Sequence, residues 1–407
     1  MVESGAGARI DGFLPHFLIG GGVLAAAQLG KAIVAMPLLQ SEMSLSISTA
    51  AFVIATFATL AATVGLWISL LARDIGPRKS LVMGMILMAI GSTIGAGSNT
   101  TTLFIISRIV EGFGFLAVIV VTPGLLNTVA HGKNRQFYMA SWGAFLPVGT
   151  VLMLIMGPFL GIIGWRSLWL LQSGLLLSFA IAALFLIPAD ATASSGARKS
   201  LLSVASGLLR NRSALLLGIS FGIYAFQYHV LAGFLPLILV GGLGLTLTTA
   251  SLLTAGAVGA NAVGSIAAGL LLRAGVPVWT NVAVAFGALA IAPPFTYSLG
   301  LEPQWVALVA SLALGFAGLA PGSIWAAVPQ TITADLITPT SGLIQQSSNV
   351  GQFAGPVIVG LLVQQFGWAA APAVLVPVAL LGIGAALWLR ADIATRRQEA
   401  LGTIARE

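Results

Sequence analysis

Three charged side chains stand where charge is costly. Lys31, Arg108 and Glu111 each fall inside a run of apolar residues long enough to cross a bilayer. An uncompensated charge at the middle of such a helix costs at least ~2.5–3.5 kcal/mol. With a helical rise of about 1.5 Å per residue, Lys31 and Glu111 lie about 7 Å to the same side of the midplane, and Arg108 about 12 Å. Lys31 and Glu111 share a depth and can pair, while the spacing of three puts Arg108 and Glu111 on one helix face. Two chemistries fit. The three charges can form a structural network that holds helices together, or Lys31 can anchor an anionic solute while Glu111, beside Arg108, carries a proton. Two bases against one acid leave a surplus positive charge, which favours an anion over a cation.

Uncharged candidates lie elsewhere along the chain. Tyr224, Gln227 and Tyr228 at i, i+3 and i+4 share a face near the middle of the seventh apolar run,. His229 is next to them and titrates near physiological pH, so it is either a proton switch or a satisfied polar residue. Gln345, Asn349 and Gln352 form one stripe in the eleventh run, with Gln346 beside it. Amides on a membrane helix must face protein or water, so this stripe contacts solute or bridges helices. Trp142 and Trp325 are cavity walls or interfacial anchors. Thr56, Thr59, Thr63 and Asn261 are expected to serve helix packing. His229 has no visible second metal ligand, there are no cysteines, and no Gly-x-x-x-x-Gly-Lys-Ser/Thr string is present. No metal, no cofactor and no catalytic triad is expected, ATP does not drive the protein, and it is not an enzyme.

The composition says what must position these residues. The chain has 407 residues, 58% hydrophobic and only 7% charged, whereas a soluble domain is about 25% charged. At about 20 apolar residues per span the length allows roughly twelve helices. Six spans are expected near 13–39, 48–71, 80–98, 102–130, a fifth ending near 163, and a sixth ending near 187. Six more follow near 213–240, 246–272, 277–299, 303–330, 339–366 and 370–389. An Ala/Ser-rich segment with Arg198, Lys199, Arg210 and Arg212 separates them. The expected organisation is an N-terminal half at 1–188, a cytoplasmic linker at 189–212 and a C-terminal half with a tail at 213–407. With the N-terminus inside, all of the 18 Lys and Arg residues except Lys31, Arg108 and Arg166 fall on the cytoplasmic side. Both termini are therefore expected in the cytoplasm, in an inner membrane. The net charge of +7 marks topology beside anionic lipid rather than a nucleic-acid face.

The second and third spans are joined by Arg73-Asp74-Ile75-Gly76-Pro77-Arg78-Lys79, expected as a charged loop in water. Asp74, Gly76, Arg78 and Lys79 resemble the signature between helices 2 and 3 of the major facilitator superfamily. The likeness breaks at Ser69 or Leu70, where the family has Gly, and at Pro77. Arg108-Ile109-Val110-Glu111-Gly112-Phe113-Gly114 resembles the family's fourth-helix motif, whose Arg influences proton transfer in proton-coupled members. Gly149 with Gly157-Pro158-Phe159-Leu160-Gly161 resembles its fifth-helix motif, prominent in exporters, although small residues at this spacing let helices approach in any bundle. Gly164-Trp165 and Gly367-Trp368 suggest an internal repeat. Trp142-Gly143-Ala144-Phe145-Leu146-Pro147-Val148-Gly149 resembles the branch with cyanate and nitroimidazole transporters.

The resemblance implies an all-α membrane protein of twelve helices in two pseudo-symmetric six-helix halves around a central cavity. It implies a monomeric secondary transporter of a small solute, working by alternating access and coupled to protons. Asp74, Arg78, Gly157 and Pro158 would then take part in conformational gating. Lys31, Trp142, Tyr224, Gln227, Tyr228, His229, Gln345 and Asn349 would contact the solute. The rival expectation is a proton-antiport exporter of drugs or hydrophobic metabolites.

Overall fold

The computed structural model describes residues 3–44, 47–189, 200–297 and 300–404. Arg198 and Lys199 lie outside the described residues, as do the side chains of Arg9, Lys133, Pro158, Arg396 and Arg397. The described chain is helical in fifteen α segments. They are α1 Glu3–Met43, α2 Ile47–Ile75, α3 Pro77–Ala96, α4 Thr101–Val129, α5 Gly132–Trp142, α6 Phe145–Met156, α7 Leu160–Leu186 and α8 Leu201–Arg210. Then come α9 Arg212–Leu237, α10 Leu247–Arg273, α11 Val278–Thr296, α12 Pro303–Ala317, α13 Leu319–Thr331, α14 Ile337–Phe366 and α15 Pro372–Ile404.

Among the described residues, ten stretches are long and apolar enough to cross a membrane, the consecutive α12 and α13 making one of them. The pair α5 and α6, bent by 50°, makes an eleventh. The polar run from Thr338 to Asn349 makes α14 less apolar, although its 30 residues are ample to span,. A twelve-helix layout follows.

Three local features differ from the sequence expectation. The charged loop after the second span shrinks to one residue: Arg73 and Asp74 stay in the last turn of α2, and only Gly76 separates α2 from α3. Gly76 has φ 108°, which a side chain would strain,, and Pro77 then starts α3, where its missing N–H costs nothing,. The fifth span is broken twice. It bends between Trp142 and Phe145 and tightens into a 3₁₀ turn at Gly157–Phe159. The expected linker contains a helix, α8.

Contacts divide the chain into two units, residues 1–131 with 145–206, and residues 132–144 with 207–407. In the first, α3 lies against α4 and α7, and α1 against α4, α6 and α7. The α3–α4 approach depends on paired glycines, since a Cβ on Gly84 would stand 2.7 Å from the Gly114 carbonyl oxygen. In the second, α9 packs on α14 and α15, and α10 on α5, α12 and α13. The short α5 thus belongs with the later helices.

Candidate functional site

The three charges meet inside the first unit. Lys31 on α1 donates from Nζ to Glu111 Oε1 on α4 at 2.6 Å and to Ser92 Oγ on α3 at 2.6 Å. Ser92 Oγ in turn donates to the carbonyl of Trp169 on α7 at 2.8 Å. The same ammonium lies 4.5 Å from the Trp169 ring centroid. Arg108 closes the cluster, donating from Nη1 to Glu111 Oε2 while its guanidinium covers the Phe57 ring of α2 at 4.3 Å. Lys31 and Glu111 are 0% exposed and Arg108 is 1% exposed. Five helices converge on this point.

Local sequence makes the room. A Cβ on Gly91 would meet Glu111 Cγ at 2.7 Å, so glycine there lets α4 bring its carboxylate against α3. One turn on, a Cβ on Gly95 would meet Trp169 Cδ1 at 2.8 Å. Both oxygens of Glu111 are used, one by each cation. With all three groups ionised the cluster carries one surplus positive charge, and Arg108 Nε has no partner. A buried pair broken by loss of one member costs about 3–5 kcal/mol, which is why Glu111 dominates the cluster.

Sequence reasoning missed Ser92, Trp169 and a neighbouring amide pair. Gln28, one turn before Lys31, donates to Gln172 Oε1 at 2.9 Å, and Gln172 reaches the Met153 sulfur at 3.3 Å. Trp169 and Gln172 are three apart on α7, as Gln28 and Lys31 are on α1. Polar residues at matched spacing in two apolar spans were the available signal.

The other candidates belong to the second unit. Tyr224 donates to Asn261 Oδ1 at 2.9 Å, and Asn261 Nδ2 donates to the Leu314 carbonyl at 2.8 Å. Tyr224 stacks on Tyr228 at 5.7 Å, and Tyr228 meets His229 edge-on at 4.9 Å. Gln227 leaves this group and donates to the Leu375 carbonyl at 2.6 Å, bridging α9 and α15. His229 Nδ1 lies 2.8 Å from the Ala225 carbonyl one turn back. Asn349 donates to the Gln345 carbonyl at 2.7 Å, within its own helix. Trp142, fully buried, meets Trp325 at 6.5 Å, and Trp325 meets Phe221 at 5.7 Å. Of the eight expected solute contacts, Tyr228, His229 and Gln345 keep partial exposure, and the other five are buried.

The expected gating residues are all in the first unit. Arg73 grips Asp74 Oδ1 with Nε and Nη2 at 2.9 and 2.7 Å, and Arg78 donates to the Leu184 carbonyl near the end of α7. Gly157 faces Val34 of α1, with room for a Cβ only 3.3 Å from it, and the Pro158 backbone lies in the 3₁₀ turn.

At the end of the unit away from Gly76, Glu42 accepts from Trp165 Nε1 at 2.5 Å and from Arg166. The Trp165 indole first, and then the Arg166 guanidinium, hold the Glu42 carboxyl below its ordinary value,. Among the described residues, no three His, Cys, Asp or Glu side chains are grouped to hold a metal.

Over residues 18–345 the chain matches the Major Facilitator Superfamily. It is 28% identical over 153 residues to an uncharacterized MFS-type transporter, EfpA, of Mycobacterium tuberculosis, covering 37% of this chain and 28% of that protein. It is 27% identical over 156 residues to the multidrug resistance protein MdtL of Shewanella oneidensis, covering 38% of this chain and 39% of that protein. The chain thus spans well under half the length of either relative. In three dimensions it is similar to the MFS transporter FucP in an outward conformation, with a TM-score of 0.75 at 14% identity. That likeness covers 94% of this chain and 99% of the other, and it shows the fold.

Proposed function

This chain belongs to the Major Facilitator Superfamily, and on that premise we propose that it is a proton-coupled secondary transporter of a small organic or inorganic anion, working by alternating access. One observation carries the reading. Lys31, Arg108 and Glu111 form a closed, fully buried cluster within membrane-spanning helices, with one carboxylate shared between two cations. Adding a proton to Glu111 removes the charge that holds both cations, and five helices then lose their common tie. Conversely, the surplus positive charge is satisfied when a negative solute enters. Glu111 is the proton carrier in this reading, Arg108 sets how firmly it holds the proton, and Lys31 supplies the attraction for the anion.

Tyr228, His229 and Gln345, which keep partial exposure, are the polar groups of the second unit best able to touch a solute. Tyr224 supports Tyr228 by stacking and Asn349 bonds the Gln345 carbonyl, while Gln227 and Trp142 take part in helix packing beside them. Asp74, Arg78, Gly157 and Pro158 are assigned to gating, Asp74 because it pairs with Arg73 at the end of α2 and Arg78 because it ties the start of α3 to α7. We place both termini in the cytoplasm on the one-sided distribution of its bases,, and the family membership is our ground for reading it as a monomer in the inner membrane.

A melting-point screen of the purified protein tests the substrate class, because a ligand that binds the folded state raises the midpoint by mass action. The anion reading expects stabilisation by a carboxylate or similar anion, lost in Lys31→Ala, with normal expression of that variant. A second reading, a proton-antiport exporter of drugs, is favoured by the likeness to the multidrug resistance protein. Stabilisation by lipophilic cations or neutral drugs alone would select it and leave Lys31 with a structural role.

A further inference from the structure

Helix α8 is too short to cross a membrane, and its ten residues sort onto distinct faces,. Val204, Ala205 and Leu208 are buried. Beside them Leu202 and Leu209, seven apart on one stripe, are 70% and 50% exposed,. Ser203, Gly207 and Arg210 make a separate, exposed face, while exposed Ser206, four residues after Leu202 and three before Leu209, shares the stripe of the two leucines,. The apolar face of α8 therefore runs past the part that protein covers.

Its neighbours set its depth. A single non-helical residue, Asn211, joins α8 to α9, and its side chain caps α9 by accepting from the Ala214 N–H at 3.1 Å. Arg212, the first residue of α9, lies over the Trp388 ring at 4.5 Å, and Arg390 over Trp279 at 4.8 Å. Trp paired with a basic side chain at the ends of apolar helices marks the headgroup level of a bilayer. α8 ends at that level, with Arg210 in its last turn, Arg212 opening α9, and Arg198 and Lys199 just ahead of α8 in the sequence.

We propose that α8 is a membrane-surface helix that lays Leu202 and Leu209 among the outer acyl carbons and binds anionic phospholipid headgroups through Arg210 and Arg212. An amphipathic helix with bases at its polar edge gains from both terms, buried apolar area and attraction to anionic lipid. The assignment does not depend on the transported solute.

The chain has no cysteine, and a side chain at Gly207 would meet nothing within 4 Å, so Leu202→Cys, Leu209→Cys, Ser203→Cys and Gly207→Cys each accept one polarity-sensitive fluorophore in the full-length protein. In phosphatidylcholine liposomes containing phosphatidylglycerol, labels at 202 and 209 should emit to the blue and resist quenching by aqueous iodide, while labels at 203 and 207 are quenched. Removing phosphatidylglycerol, or adding Arg210→Gln, should reduce the shielding. Equal iodide access at all four positions would overturn the proposal. So would shielding that grows with the protein-to-lipid ratio, which assigns the face to a second copy. Shielding indifferent to phosphatidylglycerol would overturn the headgroup assignment. In the unlabelled wild-type chain, amide exchange along α8 should slow when phosphatidylglycerol is added, and an unchanged rate counts against the proposal.

Discussion

The first unit buries Lys31, Arg108 and Glu111 among five helices, whereas the buried polar side chains of the second, among the described residues, are hydroxyls and amides such as Asn261, Gln227 and Asn349. The backbones are nevertheless alike where the repeat was expected. Gly164 has φ 73° and ψ 156° before Trp165, and Gly367 has φ 77° and ψ 172° before Trp368. Even there the chemistry differs. Trp165 donates to Glu42 beside Arg166, while Trp368 stacks on Tyr297 at 5.9 Å. A repeated backbone thus carries charge in one copy and neutral contacts in the other. In the first unit a proton added to Glu111 or Glu42 removes a charge that holds side chains together, whereas the Trp368–Tyr297 contact carries none. That difference is why we assign coupling to the first unit and most solute contacts to the second.

Removing the shared carboxylate should produce the largest effect. Glu111→Gln leaves Lys31 and Arg108 buried without a counter-charge and should lower stability by about 3–5 kcal/mol, read as a fall in melting temperature. No neutral polar substitution in the second unit should match it, and a fall as large in Asn261→Leu would erase the contrast.

The shared backbone is tested by paired substitutions. Gly164→Ala and Gly367→Ala each place a side chain in a conformation that is nearly glycine-only, costing about 1–3 kcal/mol. Neither Cβ meets a neighbour within 4 Å, so the two losses should agree, and unequal ones would show that the repeat is sequence-deep only.

A smaller effect is expected from Tyr224→Phe. It removes one buried hydrogen bond worth about 0.5–1.5 kcal/mol and leaves Asn261 bonded to the Leu314 carbonyl. Proton-driven transport should keep its dependence on the gradient, since no charge has been touched.

The smallest effect is at Glu42. Its carboxyl is held below the ordinary value of 4.5. Its stabilisation is therefore present above that value and is lost as pH falls through the lower folded value. Glu42→Gln should flatten this acid limb of the melting curve and lower the neutral-pH midpoint by the same small amount, because the pair is partly exposed,.

Much of this was legible from the chain. Apolar run lengths placed the spans, rise per residue placed Lys31 and Glu111 at one depth, and a spacing of three placed Arg108 beside the carboxylate. The structure joins the three directly. What stayed hidden depends on contacts between distant segments. Ser92 is an ordinary hydroxyl until α3 meets α1, and Gln227 looks like a partner of Tyr224 until the Leu375 carbonyl captures it. The bend between Trp142 and Phe145 and the helix α8 also went unseen, because apolar periodicity reports burial and not where a span breaks or lies flat.

The most direct test of the central claim uses proteoliposomes and a solute found by the melting screen. Accumulation driven by an imposed proton gradient should be compared with gradient-free counterflow in wild type and in folded Glu111→Gln. Coupling through Glu111 predicts that the variant keeps counterflow and loses gradient-driven accumulation. A variant that still accumulates solute with the wild-type dependence on the gradient would contradict it, and the buried cluster would then be structural.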